Sequence, residues 1–187
     1  YILVWNSNGN GIDLNSNSPH KFNQMKILRN FQKYAYLRYN DIPVTKPSPM
    51  SYPGKFSFDR CPENIFLYNY LNLIYFKNNL KYIFSFHSTG GQIYTYPDEE
   101  IVSYNVVKRY EEIMKKYSKI TSYEIMEDEK KLGFMDFCRA RFLNTTSLTI
   151  ELSKYNANPI GPLFDISKLE EEYVKNKEAI FKCILDD

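Results

Sequence analysis

Two polar side chains at the ends of predicted strands are the residues of this sequence best suited to chemistry. His87 follows an apolar, aromatic run at residues 82–86 and precedes Ser-Thr-Gly-Gly, a turn sequence whose glycines tolerate positive φ. Glu151 lies in residues 147–152, where apolar and polar residues alternate as in a strand. An imidazole can ligate a metal, and a carboxylate flanked by apolar residues tends to a raised pKa that suits a general base. Such side chains at strand ends are typical of sites in open α/β sheets.

Each of the two residues also has a structural interpretation without chemistry. A histidine at a strand end is often satisfied by a backbone carbonyl, and Glu151 taken alone is compatible with an edge strand that points it to water. The sequence offers few other candidates, because His20 and His87 are its only histidines. Three distant cysteines predict buried thiols rather than a zinc knuckle or a disulfide framework. They are Cys61, Cys138 and Cys183.

The elements that must position these residues alternate between strands and helices. Helices are predicted at residues 62–79, near 98–116, at 133–142 and near 165–185, and strands at 82–87, 93–96, 123–126 and 147–152. The last helix is predicted to be amphipathic. Its buried stripe would consist of Ile166, Leu169, Tyr173, Ile180, Phe181 and Ile184. Strands that alternate with helices predict an α/β sheet with helices on its faces.

Length and composition restrict the class of protein. The 187 residues are 43% hydrophobic, with 17 tyrosines and 13 phenylalanines, and this predicts one packed domain rather than disorder. The 24 basic and 22 acidic residues are interspersed, which gives no reason to expect nucleic acid as a partner. No apolar run approaches the roughly 18 residues needed to span a bilayer, so no membrane partner is expected. The sequence begins at Tyr1 without a start methionine or a leader, which predicts a fragment of a longer protein.

A series of short motifs occurs in the order and rough spacing of the zinc carboxypeptidase family. They are Gly11-Ile12-Asp13-Leu14-Asn15, Tyr52-Pro53-Gly54, Phe86-His87-Ser88, Gly133-x-x-Asp136-Phe137, Leu148-Thr149-Ile150-Glu151-Leu152 and Asn158-Pro159. From Trp5 to the last helix the chain resembles this family, and within it the bacterial γ-D-glutamyl-L-diamino-acid endopeptidases, which cut the stem peptides of peptidoglycan. The resemblance implies that residues 1–187 are the C-terminal part of a single zinc-peptidase catalytic domain. It implies a mixed β-sheet with helices on both faces, incomplete at the N-terminus.

The resemblance also implies roles for individual residues. His87 would be the third zinc ligand, and Glu151 the carboxylate that activates the zinc-bound water. Asn15 would hold the carboxylate end of the substrate, and Tyr123 would be the mobile phenol that closes over it. We expect His87 and Glu151 at the C-terminal edges of neighbouring or near-neighbouring strands, facing one cleft, with Asn15 on its rim. Zinc held by three protein ligands leaves a position for water, whose pKa the metal lowers.

Two departures from the family pattern modify this prediction. Ser16 occupies a substrate-binding position where digestive carboxypeptidases carry an Arg that forks onto the free C-terminal carboxylate. This change disfavours a plain exopeptidase. A residue other than Arg at this position resembles the pattern of the peptidoglycan endopeptidases. The family's His-x-x-Glu motif, which supplies the first two zinc ligands, is not found, because no histidine precedes His20. The family's oxyanion-stabilising Arg is missing too, and His20 is expected to be structural rather than a substitute ligand.

The sequence therefore predicts a zinc-dependent peptidase that acts on peptide or muropeptide substrates, with zinc as the cofactor of the full-length protein. One alternative is an ordinary metallocarboxypeptidase, and another is a metal-free relative that binds a peptide or a partner protein. A His-x-x-Glu motif upstream of Tyr1 would favour the enzyme over the metal-free relative. The compartment stays open between the cell wall and the cytoplasm of a bacterium, and the oligomeric state is open as well.

Overall fold

A computed structural model describes residues 6–31, 46–48, 52–58, 61–77, 80–94, 103–126, 132–154 and 166–185. The chain forms two compact units, each with its own core. The first comprises Tyr1–Leu80 and Lys130–Phe142, and the second comprises Lys81–Glu129 and Leu143–Asp187. Among the described helices, none combines the length and the apolar character that crossing a bilayer requires.

The helices and strands of each unit come from two separate stretches of the chain. The first unit holds α1 (Phe22–Phe31), α2 (Pro62–Phe76) and α4 (Phe134–Arg141), and the second holds α3 (Tyr104–Thr121) and α5 (Leu169–Leu185), which follows a 3-10 turn at Ile166–Lys168. The strands of the second unit are β1 (Tyr82–Gly90), β2 (Gln92–Tyr94), β3 (Glu124–Met126) and β4 (Thr146–Lys154). The predicted alternation of helices and strands is confirmed.

The second unit is built on a four-stranded mixed sheet with the strand order β1-β4-β2-β3. The pairs β1–β4 and β2–β3 are parallel, and β2 runs antiparallel to β4. Because β2 follows β1 after the single residue Gly91, the chain reverses there, and the positive φ of 64° at this position suits a glycine. The predicted α/β class with a mixed sheet is confirmed.

The core of the second unit lies on one face of this sheet, against α3 and α5. Successive strand residues point to opposite faces, so the alternating pattern of β4 turns its large apolar side chains to the helices. The cluster consists of Ile93, Val106, Tyr110, Ile113, Tyr117, Tyr123, Leu148, Ile150, Ala179 and Cys183. The opposite face of β1, β2 and β4 carries mainly polar residues, and it is the face on which His87 and Glu151 lie.

The third helix ends later than the sequence pattern predicts. It was expected near residues 98–116, of which 98–102 lie outside the described residues, and α3 continues to Thr121. Tyr117 extends the apolar spacing by one turn and is fully buried, so burial favours the longer helix. Ser122 then stops it in the left-handed conformation, with a φ of 58°.

The predicted buried stripe of the last helix is wrong at four of its six positions, whereas Ile180 is partly buried against the core. Leu169, Tyr173 and Phe181 are 58%, 57% and 52% exposed, and Ile184 is also exposed. The helix instead buries Glu172, Asn176, Ala179 and Cys183. The reason is chemical, since Glu172 and Asn176 hydrogen-bond the buried phenols of Tyr123 and Tyr117, and these bonds compensate the burial of polar groups. The prediction of buried free thiols at Cys61, Cys138 and Cys183 is confirmed.

Candidate active site

His87 and Glu151 lie side by side on neighbouring parallel strands. They are direct partners in the register of β1 and β4, and each is the sixth residue of its nine-residue strand. Partners in register point to the same face of a sheet, and neighbouring strands are about 4.8 Å apart. The predicted placement of this pair, on neighbouring strands and one face, is therefore confirmed. The predicted position at the strand ends is wrong, because each strand continues for three residues beyond the pair, and residues 88–90 of the predicted turn belong to β1. Both side chains are half-buried, which leaves them accessible to a small reactant.

The pair belongs to a polar surface that extends over three strands, which we call the polar face. Its six side chains form two rows across β1, β4 and β2: Ser85, Thr149 and Tyr94, then His87, Glu151 and Gln92. Hydroxyl groups of the first row bind members of the second. Ser85 Oγ lies 3.2 Å from His87 Nε2, and the Tyr94 hydroxyl donates to Gln92 Oε1 at 2.7 Å. With Nε2 engaged by Ser85, Nδ1 is the His87 nitrogen left for another partner.

The environment of Glu151 suits a base. Burial raises the pKa of the Glu151 carboxyl above its ordinary value, and the neighbouring His87 offsets part of that rise. A carboxylate with a raised pKa holds a proton more readily, so it can take one from water and release it later. The arrangement therefore places an imidazole beside a carboxyl group of raised pKa on one face.

The described residues do not make a complete metal site. Within the described part of the chain, no three His, Cys, Asp or Glu side chains lie close enough together to hold one ion. His87 supplies one donor, whereas a catalytic zinc needs three from the protein. His20 belongs to the first unit, where its backbone N–H donates to Ser18 Oγ at 3.3 Å. The donor set thus fits part of a zinc site and not a whole one.

Asn15 lies in the first unit, at the end of a loop that Asp13 organises. The Asp13 carboxylate accepts the backbone N–H of Asn15 at 3.0 Å and that of Ser16 at 3.2 Å, as in an Asx turn. The exposed Asn15 side chain accepts the backbone N–H of Phe134, the first residue of α4, through Oδ1 at 3.1 Å. This bond orients the carboxamide and leaves its N–H donors for another partner. Its predicted position on the rim near His87 and Glu151 stays a prediction, because those residues belong to the second unit.

Ser16 does not present its hydroxyl to a substrate. The residue is fully buried, and its Oγ donates to Asp13 Oδ2 at 3.0 Å. Its predicted role as a substrate-binding side chain is therefore wrong in this structure. Because Asp13 already accepts from two backbone N–H groups, the serine completes the turn that holds Asn15. The consequence of the missing Arg still holds, since Ser16 offers no guanidinium at this position.

Tyr123 lies on the helical face of the sheet and not on the polar face. Its side chain is 2% exposed within the core of the second unit. The phenol oxygen accepts the Ser153 N–H at 3.0 Å and an Asn176 N–H at 3.1 Å, and it donates to Glu172. A phenol fixed by three partners on the opposite face cannot close over a group held beside Glu151. The predicted role of Tyr123 as a mobile substrate-binding phenol is wrong.

Sequence reasoning missed four members of the polar face, namely Ser85, Thr149, Tyr94 and Gln92. Ser85 and Thr149 were detectable, because each stands two residues before a predicted site residue and so shares its face. Gln92 had no comparable signal. Its place beside Glu151 depends on the antiparallel register of β2 with β4, which the sequence does not specify.

Comparisons with known proteins bear on the fold. No protein-family model and no curated protein matches the sequence, whereas 32 chains of solved structures match the coordinates. Thrombin activatable fibrinolysis inhibitor (TAFI) superposes with a TM-score of 0.55 at 17% identity, over 92% of this chain and 41% of that one. The bovine protein, in complex with tick carboxypeptidase inhibitor, gives 0.53 at 16% identity, over 92% and 55%. The fold is carboxypeptidase-like. This chain spans about half the length of these two matches.

A third structure is the murein-tripeptide amidase MpaA from Escherichia coli O157. It matches 92% of this chain and 59% of its own at 16% identity, with a TM-score of 0.43. At 16–17% identity, the two matches with TM-scores above 0.5 show the fold alone.

Proposed function

We propose that the full-length protein containing this chain is a zinc-dependent peptidase that cuts peptidoglycan stem peptides at the bond between γ-D-Glu and the diamino acid. The observation that carries the proposal is the in-register pair of His87 and Glu151 on neighbouring strands of a carboxypeptidase-like fold. The motif order in the sequence supports it independently. The protein would act in a bacterium, at the cell wall or in the cytoplasm.

Glu151 would act as the general base, and His87 as one ligand of the metal. The raised pKa of Glu151 fits a carboxylate that accepts a proton from water and passes it to the leaving amine. Ser85 engages Nε2 of His87, so the imidazole would use Nδ1 toward the metal. When bound, zinc would lower the pKa of a water molecule and polarise the scissile carbonyl. The remaining ligands would come from outside the described residues.

Asn15 would hold the carboxylate end of the substrate. Its Oδ1 is occupied by the Phe134 N–H, so its Nδ2 group is the part available to donate hydrogen bonds. A neutral carboxamide binds a carboxylate more weakly than an Arg fork does. The buried Ser16 offers no such fork beside it. Recognition of a substrate through an α-carboxylate directly after the scissile bond would therefore be weak.

The substrate preference follows from this missing contact. Loss of a charge-assisted hydrogen bond removes about 1.5–3 kcal/mol, which is about one to two powers of ten in rate when it acts in the transition state. We therefore expect cleavage of the γ-D-Glu–diamino-acid bond in muropeptides, of which the tripeptide L-Ala-γ-D-Glu-meso-diaminopimelate is the simplest. Recognition would use the γ-linkage of D-Glu and the second amino group of the diamino acid instead of the α-carboxylate. We expect little release of C-terminal residues from ordinary L-peptides, which lack both features. Rapid trimming of ordinary peptides would instead favour a metallocarboxypeptidase of the usual kind.

The decisive experiment changes the base and spares the ligand. In the zinc-loaded full-length protein, Glu151→Gln should lower kcat for the tripeptide by about a hundredfold or more, because it removes the proton acceptor. Bound zinc, measured by metal analysis, should stay the same. Glu178→Gln, a change of the same kind on an exposed residue of α5, should leave kcat unaffected. A Glu151→Gln variant with unimpaired turnover would overturn the proposal.

A metal-free binding module is the second candidate function. The observation that favours it is the absence of a three-ligand group within the described part of the chain. Such a module would bind a peptide or a partner protein without hydrolysing it. Calorimetric titration of the full-length protein with the tripeptide, with and without zinc, separates the two. Metal-independent binding without turnover would favour the module.

A further inference from the structure

Gln92 completes a row of functional side chains on the polar face. In the register of the sheet, β1 places His87 beside Glu151, and β2 places Gln92 on the other side of Glu151. Directly opposite residues of neighbouring strands share one face, so the three side chains lie next to one another. A substrate that reaches both His87 and Glu151 therefore has the Gln92 side chain beside it, on the side away from His87.

A hydrogen bond from Tyr94 and the space left by Gly90 place the carboxamide of Gln92 here. The Tyr94 hydroxyl donates to Gln92 Oε1 at 2.7 Å. Gly90 of β1 leaves space beside this oxygen, since an added Cβ atom would lie 3.0 Å from both Gln92 Oε1 and Glu151 Cβ. The glycine lets the carboxamide pack against the strand beside the base, because any larger residue would crowd both neighbours. The position is therefore fixed by the strands and is not that of a free surface side chain.

The orientation leaves a hydrogen-bond donor without a partner among the described residues. Gln92 uses its oxygen toward Tyr94, so the two N–H groups on Nε2 are the unused end of the carboxamide. The strand pairs put carboxylates on both sides, with Glu151 on β4 and the exposed Glu124 on β3. No hydrogen bond joins Gln92 Nε2 to either within the described part of the chain. A half-buried donor in this position suits an incoming acceptor.

We propose that Gln92 is a specificity-determining residue that donates a hydrogen bond from Nε2 to a carbonyl or carboxylate oxygen of the peptide substrate. Tyr94 is the positioning residue that turns the donor outward. This inference rests on the proposed peptidase function and adds a contact to it. The contact lies on the side of Glu151 away from His87. Gln92 would therefore bind a part of the substrate that does not touch His87. It binds the substrate without taking part in proton transfer.

The test separates substrate binding from chemistry. In the zinc-loaded full-length protein, Gln92→Met keeps the side-chain volume and removes the donor. We expect KM for L-Ala-γ-D-Glu-meso-diaminopimelate to rise about tenfold, with kcat changed by less than about threefold. Tyr94→Phe frees the carboxamide and should raise KM by a smaller factor. Gln24→Met, the same change at an exposed position of α1, should leave both constants unchanged.

Several results would overturn the inference. Unchanged kinetics in a folded Gln92→Met variant would overturn it. A fall in kcat at constant KM would also overturn it, because that result would mean that the substitution disturbs the base Glu151 and not substrate binding. Calorimetric binding of the same tripeptide keeps the two proposals distinguishable. A wild-type protein that binds without cleavage, and whose affinity falls about tenfold in Gln92→Met, refutes the peptidase and supports the contact. A wild-type protein that neither binds nor cleaves the tripeptide refutes both.

Discussion

Tyr123 shows how burial decides the role of a single residue. A tyrosine near the predicted site was expected to move over the substrate, yet its phenol is the centre of a buried polar cluster with Glu172, Asn176 and the Ser153 N–H. Lys175 adds a cation above its ring, 4.9 Å from the ring centroid. Buried polar groups with several partners stabilise a fold, because each would be costly to leave unpaired. The residue is therefore structural.

This assignment makes a prediction for Tyr123→Phe. The change leaves the Ser153 N–H and the Glu172 carboxylate without the phenol, so the free energy of unfolding at pH 7 should fall by about 1–3 kcal/mol. The kcat and KM of the folded zinc-loaded protein should stay unchanged. Urea unfolding and steady-state kinetics on one preparation measure both quantities. Tyr104→Phe, at a residue that is 78% exposed, is the control and should change neither. A loss of kcat at constant stability would restore the catalytic role.

The neighbouring placement of His87 and Glu151 was predicted from the resemblance of the motif order to the carboxypeptidase family, since local pattern does not show which strands pair. A strand of period two fixes the face of each residue, and parallel strands end at the same edge. Tyr123 could not be assigned in the same way. Its position depends on partners in α5 that lie 49 and 53 residues further along the chain. The residue pattern indicates the strand next to Tyr123, but it does not indicate that α5 receives the side chain.

At the scale of helices and strands, the polarity of a helix face proved less predictable than the presence of the helix. The bounds of α2 and α4 follow from Pro62, which suits a first helical turn, and from Gly133 ahead of Phe134. The inner face of α5 did not follow, because Glu172 and Asn176 are buried where apolar residues were expected. Hydrogen bonds to tyrosines of other elements offset the desolvation of these polar groups. Such compensation is not visible in hydrophobic periodicity.

Gly133 lies directly before α4 and against Asn15, so its replacement by alanine makes a further prediction. Its φ of 114° is a conformation that L side chains rarely adopt, and a Cβ there would lie 3.0 Å from Asn15 Oδ1. We expect Gly133→Ala to lower the free energy of unfolding by about 1–3 kcal/mol. It should also raise KM, because Asn15 loses its bond to Phe134.

The matched control is Gly9→Ala, where an added Cβ would meet nothing within 4 Å. Chemical denaturation of both variants, followed by kinetics with the tripeptide, measures the two effects. Gly133→Ala and Gly9→Ala variants of equal stability would show that the backbone at position 133 is not strained by a side chain. An unchanged KM in a destabilised Gly133→Ala variant would remove Asn15 from substrate binding.

At the scale of the molecule, the number of metal ligands sets a third prediction. The described residues supply His87 and no group of three donors, and the chain spans about half the length of the two matched structures. We therefore expect the 187-residue chain to retain far less than one zinc per molecule after dialysis, because one ligand holds the ion weakly. Inductively coupled plasma analysis measures the content. Nearly one tightly held zinc would reveal ligands in the remaining residues, and loss of that zinc in His20→Ala would identify one.

The last prediction concerns stability in alkali, which the buried tyrosines of the second unit control. Burial raises the pKa of Tyr123 from 10.0 to about 12, and it raises the pKa of Tyr117 even further. Between pH 10 and 12 the unfolded chain therefore loses phenol protons that the folded chain keeps. Because the unfolded state then binds fewer protons, the free energy of unfolding falls with rising pH, by about 1.4 kcal/mol per pH unit for each phenol.

The stability that the buried phenols contribute is fully present below pH 10. It is lost as the pH rises through their raised pKa values. Urea unfolding at pH 9.5 and pH 11 gives the loss directly. In Tyr123→Phe the loss over this interval should be smaller by about 1–2 kcal/mol, although the variant is less stable at both pH values, since it has one phenol fewer to titrate. Tyr104→Phe should show the wild-type loss, because that ring is exposed. An equal loss in Tyr123→Phe and the wild type would mean that the Tyr123 phenol ionises alike in the folded and unfolded chain, and would contradict its burial beside Glu172.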